Sequence, residues 1–264
     1  MADRPSPESL AIVLPAYNEK DRLGDSLDEL FAYLRSADRA ALPPAIDVLV
    51  VDDGSTDATA DLVRARPEAR TPGAGGDGVT LRVLSVPHGG KGSAVRAGML
   101  AATADIIVFS DADMATPPDQ IPRLLAALSA HDIALGSRIQ PDGSDMRATQ
   151  PRYRRFVGRA FHVLAAIWVT GPVRDTQCGF KGFDRAVAHD LFARQRITSI
   201  VFDVEIIHLA RKRHYRAAIV PIRWLDKRGS RMRTGPGLAL RVAWDLFRIP
   251  IIHRRVKSNA KDRS

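Results

Sequence analysis

The segment Phe-Ser-Asp-Ala-Asp-Met, residues 109–114, sets two carboxylates, Asp111 and Asp113, one residue apart after the apolar run Ile106–Phe109. Strand alternation predicts that both point to the same side. Like charges held together call for a cation. Hard divalent ions with oxygen ligands suit the pair, and Mg²⁺ typically takes one or two carboxylates together with substrate phosphates. The pattern therefore points to a phosphate-bearing substrate held through Mg²⁺ or Mn²⁺. The plainer reading makes Asp111 a turn former and Asp113 the cap of a helix near Pro117.

Other groups able to do chemistry also fall where strands should end. They are Pro15-Ala16-Tyr17-Asn18-Glu19, Asp52-Asp53-Gly54-Ser55, His88-Gly89-Gly90-Lys91-Gly92-Ser93 and Gly136-Ser137-Arg138. The glycines around Lys91 would let backbone N–H groups approach a phosphate. The segment is not a Walker A loop, because Ser85 stands where the first glycine belongs. A glycine-rich turn that opens a helix explains it equally well.

The elements that must position these groups follow from periodicity. Apolar runs at 10–16, 46–52, 79–86, 104–110 and 132–138 read as strands, with helical spacing between them, as in Leu23, Leu27, Leu30, Phe31 and Leu34. Ser55, Thr56 or Asp57 is placed to cap the second helix, and residues 67–78 read as a surface loop. This alternation predicts an α/β fold with a mostly parallel central sheet flanked by helices on both faces. Ligands of such sheets bind beyond the carboxyl ends of the strands.

In the second half, Arg152, Arg155, Arg159 and His162 share one predicted helical face, a further helix covers 202–215, and a strand covers 216–224. The segment 237–255 reads as an apolar helix with a narrow polar stripe of Arg241, Asp245 and Arg248 and a basic end. Such a helix suits either a membrane interface or packing on the domain or in a dimer interface. The expected organisation is a domain over 1–235, with a donor half at about 10–138 and an acceptor half at about 139–235. A basic amphipathic, membrane-associating tail over 236–264 follows it.

Composition narrows the partners. Of 264 residues 26% are charged, the net charge is +9, and the basic excess lies after Gly136, which favours an anionic partner. Nucleic acid is disfavoured by the 6% aromatic content and the lack of a recognised binding module. The single cysteine, Cys178, excludes an intramolecular disulfide and a cysteine-cluster metal site. The N-terminal residues show no signal-peptide pattern and no apolar run approaches the roughly 18 residues of a membrane span. The expected location is the cytoplasm, peripheral at the membrane face.

Taken in order, Pro-Ala-Tyr-Asn-Glu (15–19), Val-Asp-Asp-Gly-Ser-Thr-Asp (51–57), Gly-Lys-Gly (90–92) and Asp-Ala-Asp (111–113) resemble the family-2 glycosyltransferases of GT-A fold. Residues 174–183, 202–211 and 220–232 extend the resemblance to the polyprenyl-phosphate sugar synthases, in particular the dolichyl-phosphate glucosyltransferases. The resemblance implies that Pro15, Ala16, Tyr17, Glu19, Asp52 and Asp53 line the nucleoside pocket. It places Lys91 near the donor, and Asp111, Ala112 and Asp113 at the ribose and the metal–diphosphate. Arg138, Gln177, Lys181, Arg228, Ser230 and Arg231 would then surround the sugar and the acceptor phosphate.

The implied reaction is an inverting displacement that moves a hexose, expected to be glucose from UDP-glucose, to a polyprenyl or dolichyl phosphate. GDP-mannose or a UDP-N-acetylhexosamine as donor, and a soluble or polysaccharide hydroxyl as acceptor, are the alternatives. A phosphate monoester is largely dianionic at pH 7 and needs cations and positioning more than a base. Asp113 and Arg138 are the expected catalytic groups. For a hydroxyl acceptor Asp203 and Glu205 are the base candidates. They lie two apart on a helix, so at most one should face the site.

Overall fold

The computed structural model describes residues 6–70, 78–146, 169, 173, 175–225, 227 and 236–258. The predicted helix at 152–168 lies outside these, as do Arg228, Ser230 and Arg231. A seven-stranded sheet has the order β3-β2-β1-β4-β6-β5-β7. The strands are β1 (Ser9–Ala16), β2 (Ala45–Asp52), β3 (Val79–Ser85), β4 (Ile106–Ser110), β5 (Ile133–Ser137), β6 (Phe180–Asp184) and β7 (Ala217–Pro221). Only β6 runs against its neighbours, pairing antiparallel with β4 and β5.

Alternation along the strands divides the interior into two layers. Leu10, Ile12 and Leu14 of β1 face one layer, closed by α1 (Leu23–Leu34), α2 (Thr59–Ala65) and α5 (Ile121–Leu128). Ala11 and Val13 face the other, closed by α4 (Lys91–Ala101), α6 (Arg185–Arg194) and α7 (Phe202–Lys212). Gly98 lets α4 lie directly on the sheet, since a Cβ there would overlap Val13 and Val51. The loop expected over 67–78 begins instead with a one-turn helix, α3 (Pro67–Arg70). It is pinned by Glu68, which accepts from Arg35 (2.8 Å) and Arg66 (3.2 Å).

Parallel register brings the strand ends together. Ala16 pairs with Asp52, and Asp52 with Ser85, while β1 lies beside β4. The loops that carry the candidate groups therefore share one rim.

The last helix, α8 (Pro236–Ile252), contains Pro250. Leu246 and Ile249 are buried with Val201 and Val204 at the start of α7. His253 Nε2 donates to Glu205 Oε1 at 2.6 Å, and both side chains are buried. Lys212 Nζ donates to the carbonyl of His253 at 2.7 Å. Within the polar stripe Asp245 turns inward, with Ser199 Oγ donating to its Oδ2 at 2.6 Å, while Arg241 is exposed and Arg248 half-buried. Leu240, Trp244, Phe247 and Ile251 are exposed, at spacings that align them as an outer stripe. Each face suggested by the sequence has its own surroundings: one packs on the domain and one meets solvent.

Candidate active site

The first loop after β1 turns at Asn18, whose φ is +54°, a region that asparagine tolerates. Asn18 Oδ1 accepts from the Thr56 N–H at 2.8 Å, and the Asn18 N–H donates to Ser55 Oγ at 2.9 Å. The first two loops are thereby locked together. The Glu19 N–H donates to Thr59 Oγ1 at 2.8 Å, and Thr59 in turn donates to Asp57. Asp57 also accepts the Thr59 N–H at 2.9 Å, so it is the residue of the three candidates that holds the start of α2. The Glu19 carboxylate is engaged by Arg22 Nε at 2.8 Å.

Asp53 organises the glycine-rich turn. Its carboxylate accepts the N–H groups of Gly89 and Gly90, each at 2.9 Å, and His88 Nδ1 lies 2.9 Å from Oδ2. These backbone donors serve a carboxylate of the fold, so the turn is a helix-opening device and not a phosphate cradle. The His88 ring stacks on Tyr17, with centroids 4.2 Å apart and planes 22° apart. Tyr17 is 41% exposed, which leaves a rigid aromatic face at the rim. Asp52 and Ala16 are buried beneath it, with Asp52 Oδ1 accepting from the Ser55 N–H at 3.2 Å. Pro15 lies in β1 beside Val51.

Asp111 and Asp113 lie beyond the end of β4. Strand alternation is therefore not what brings them together. The Asp111 N–H donates to the Gly179 carbonyl at 2.9 Å, and the chain then turns through Ala112 to Met114, whose φ is +49°. Asp113 Oδ1 accepts the Ala115 N–H at 3.0 Å, a bond within the turn; it does not cap the helix near Pro117, whose N-cap is Pro117 itself with no side-chain cap. Burial, and then the charge of Asp111, raise the Asp113 pKa against the pull of that N–H and of Lys91. Lys91 Nζ lies 2.5 Å from Asp111 Oδ1. Burial works against its ammonium, but Asp111 and Asp203 keep its pKa above the ordinary value.

Gly179 is part of this arrangement. A Cβ at that position would overlap the carboxylate of Asp111. The missing side chain is a cradle that lets the carboxylate stand over the β6 entry. Among the described residues no cluster of three His, Cys, Asp or Glu is placed to hold a metal by itself. Two hard carboxylates, one of them with its pKa raised by burial and then by the charge of the other, fit a divalent ion whose other ligands are substrate and water oxygens.

The acceptor-side expectations fare differently. Arg138 is largely committed to Asp175: its Nε and Nη2 donate to that carboxylate at 2.9 and 2.6 Å, and its backbone N–H adds a bond of 2.8 Å. Its guanidinium also stands over Trp224, 5.7 Å from the ring centroid. Burial lowers the pKa of Arg138, but Asp175 more than offsets this and raises it. Gln177 donates from Nε2 to the Ile200 carbonyl at 3.1 Å. Lys181 is fully buried in β6 and donates to Asp203 at 2.6 Å and to the Cys178 carbonyl at 2.5 Å. Its ammonium is a core cation, contrary to the expectation that it reaches an acceptor.

Glu205 is fully buried and taken up by the fold. It accepts the N–H groups of Arg196 and Ile197, each at 2.8 Å, in addition to His253. As a base candidate it is displaced by this structural use. Asp203 is nearer the site, coupled to Lys181, Lys91 and Asp111, and burial raises its pKa against the two lysines. The helical spacing correctly implied that the two acids would part.

Residues 11–192 match the family described as glycosyl transferase family 2. The chain belongs to that family. Across 98% of its length, and 76% of the relative's, it is 35% identical to a dolichyl-phosphate beta-glucosyltransferase of Trichomonas vaginalis. It is 36% identical to the Drosophila melanogaster protein of that name, over 94% of this chain and 76% of the relative. Glucosyl-3-phosphoglycerate synthase from Mycobacterium tuberculosis, in complex with Mn²⁺ and UDP-glucose, has the same GT-A type of fold. Its TM-score is 0.59 at 17% identity, covering 93% of this chain and 79% of that one. The sheet and its rim are thus those of a family-2 glycosyltransferase, and the chain is an enzyme of that class.

Within this glycosyltransferase, His88, Asp175, Gly179 and Trp224 contact candidate site residues in roles that the sequence did not single out. His88 carried a signal as the first residue of the glycine-rich turn, and Asp175, Gly179 and Trp224 fell within the segments 174–183 and 220–232 that carry the family resemblance. The other three act through contacts across the sheet rim that no local spacing encodes.

Proposed function

We propose that the enzyme transfers glucose from UDP-glucose to dolichyl or another polyprenyl phosphate, with inversion, at a membrane surface. The observation that carries this reading is similarity at 35–36% identity over nearly the whole chain to proteins named dolichyl-phosphate beta-glucosyltransferase. Asp111 and Asp113 would hold the divalent ion, Mg²⁺ or Mn²⁺, which supplies charge neutralisation at the leaving diphosphate. The exposed face of Tyr17, backed by His88, offers a stacking surface for the nucleobase. Lys91 adds a cation beside Asp111 where the diphosphate charge grows.

Commitment of Asp203 to Lys181 and of Glu205 to backbone donors and His253 favours an acceptor that arrives already ionised. Such an acceptor needs no base. Arg138, Arg228, Ser230 and Arg231 remain its proposed contacts by family resemblance. The outer stripe of α8, followed by exposed Arg254, Arg255 and Lys257, suits an anionic lipid surface. Among the described residues no helix is long and apolar enough to cross a membrane.

The test is incubation of the purified enzyme with radiolabelled UDP-glucose, Mn²⁺ or Mg²⁺, and dolichyl phosphate. Label should move to an organic-extractable lipid and should not move when metal is chelated. Transfer only to a soluble acceptor such as 3-phosphoglycerate would overturn the reading.

A further inference from the structure

A cavity of about 510 Å³ opens between α8 and the glycine-rich turn, with Gly89 and Gly90 on one wall and Arg241, Trp244 and Arg248 on the other. Arg241 and Arg248 are seven residues apart, two helical turns, and so lie on one face. Asp245 lies between them, but its Oδ2 is taken by Ser199, and its Oδ1 is 3.7 Å from Arg248 Nε. That separation is too long for a hydrogen bond. Arg248 Nε is buried without a hydrogen-bond partner among the described residues, so Asp245 does not claim the guanidinium through a hydrogen bond. With two guanidinium groups against one carboxylate, the cavity favours an anion rich in acceptor oxygens. Arginine forks match phosphate best.

The surroundings say what carries that phosphate. Trp244 lines the cavity and also belongs to the exposed apolar stripe with Leu240, Phe247 and Ile251. A lipid chain lying on the stripe would end at the cavity mouth. On the opposite wall Gly90 is followed directly by Lys91, the cation beside Asp111. The cavity thus borders both the apolar surface and the turn that leads into Lys91.

We propose that Arg241 and Arg248 bind the phosphate of the lipid acceptor in this cavity, between the membrane face and the donor. The inference rests on the lipid-phosphate reading above and moves part of the acceptor site onto α8.

The experiment uses the full chain with Arg241→Gln and Arg248→Gln combined, and the paired Lys replacements as a charge-retaining control. In neutral detergent micelles the Gln pair should raise the KM for dolichyl phosphate at least tenfold, leave the KM for UDP-glucose within twofold, and be partly rescued by the Lys pair. An unchanged acceptor KM in a variant with wild-type melting temperature overturns the site. So does a loss confined to binding of phosphatidylserine vesicles, which would make the cavity a bulk-headgroup site. Binding of a fluorescent polyprenyl phosphate without UDP-glucose separates the two claims. Arginine-dependent binding by an enzyme that transfers no glucose to lipid would sustain the site and sink the reaction.

Discussion

Lys91 Nζ lies 2.5 Å from Asp111 Oδ1, joining the start of α4 to the loop after β4. The pair brings a cation and the carboxylate proposed to hold the metal to the same point of the rim. Lys91→Met should lower kcat about a hundredfold, the usual scale for losing one preorganised charge at a developing anion. Single-turnover rates with saturating Mn²⁺ and UDP-glucose would measure it. A loss under threefold would remove Lys91 from the chemistry.

Gly179 gives a sharper geometric test. Its Cβ would overlap the Asp111 carboxylate, and that short side chain can yield only by rotating away. Gly179→Ala should reduce kcat/KM for the donor about a hundredfold, as small misplacements at reacting centres do. The melting temperature should change little. Calorimetric titration of UDP with and without Mn²⁺ should show that the metal-dependent part of binding is what disappears.

The Lys181–Asp203 pair is buried on both sides. Removing one partner strands a charge, so Lys181→Met should cost about 3–5 kcal/mol of stability in urea denaturation. Lys181→Met combined with Asp203→Leu should recover most of that loss. If Lys181 instead served the acceptor directly, the single change would leave stability intact and raise only the acceptor KM.

Glu68 supplies a pH-dependent prediction. Its partial burial favours the neutral acid, but hydrogen bonds from its own backbone, Arg35 and Arg66 outweigh this and lower its pKa. A depressed carboxylate pKa adds stability above the unfolded value, near 4.3 on the usual scale, and loses it as pH falls through the folded value. Glu68→Gln should therefore cost about 1 kcal/mol at pH 7. The gap should close below about pH 4. Denaturation midpoints across that range would show convergence, and a constant gap would contradict the linkage.

Leu240 and Phe247 are 73% and 50% exposed. Replacing both with Ser should abolish co-sedimentation with anionic vesicles while keeping the fold, because neither supports the interior. Persistent sedimentation would place the lipid contact elsewhere.

Much of this architecture could be read from periodicity. Six strands, the last at 216–224 (β7), and the helices between the first five are apolar runs with the right spacing. β6 escaped because Lys181 stands in the middle of it, and a lysine in a fully buried strand makes sense only beside Asp203, 22 residues away. The rim itself was legible, since strand ends in a parallel sheet must be neighbours. How its acids are held was not. Asp111 and Asp113 meet through a turn at Met114, and Asp53 spends its carboxylate on Gly89 and Gly90. The exposed-looking Arg138 is claimed by Asp175, 37 residues on. For α8 the pattern distinguished two faces, but amphipathicity cannot say which face a domain will claim when it offers its own polar partners, as Ser199 does.

The contact between His253 and Glu205 alters what counts as a removable end. Cutting the chain before Pro236 would leave the Glu205 carboxylate inside without its imidazole and open a hole over Val201 and Val204. The helix assigned to the lipid surface is also a wall of the enzyme. A shortened chain would be a damaged protein and not a detached version of the same one, so the question of anchoring must be put with single side chains rather than with scissors.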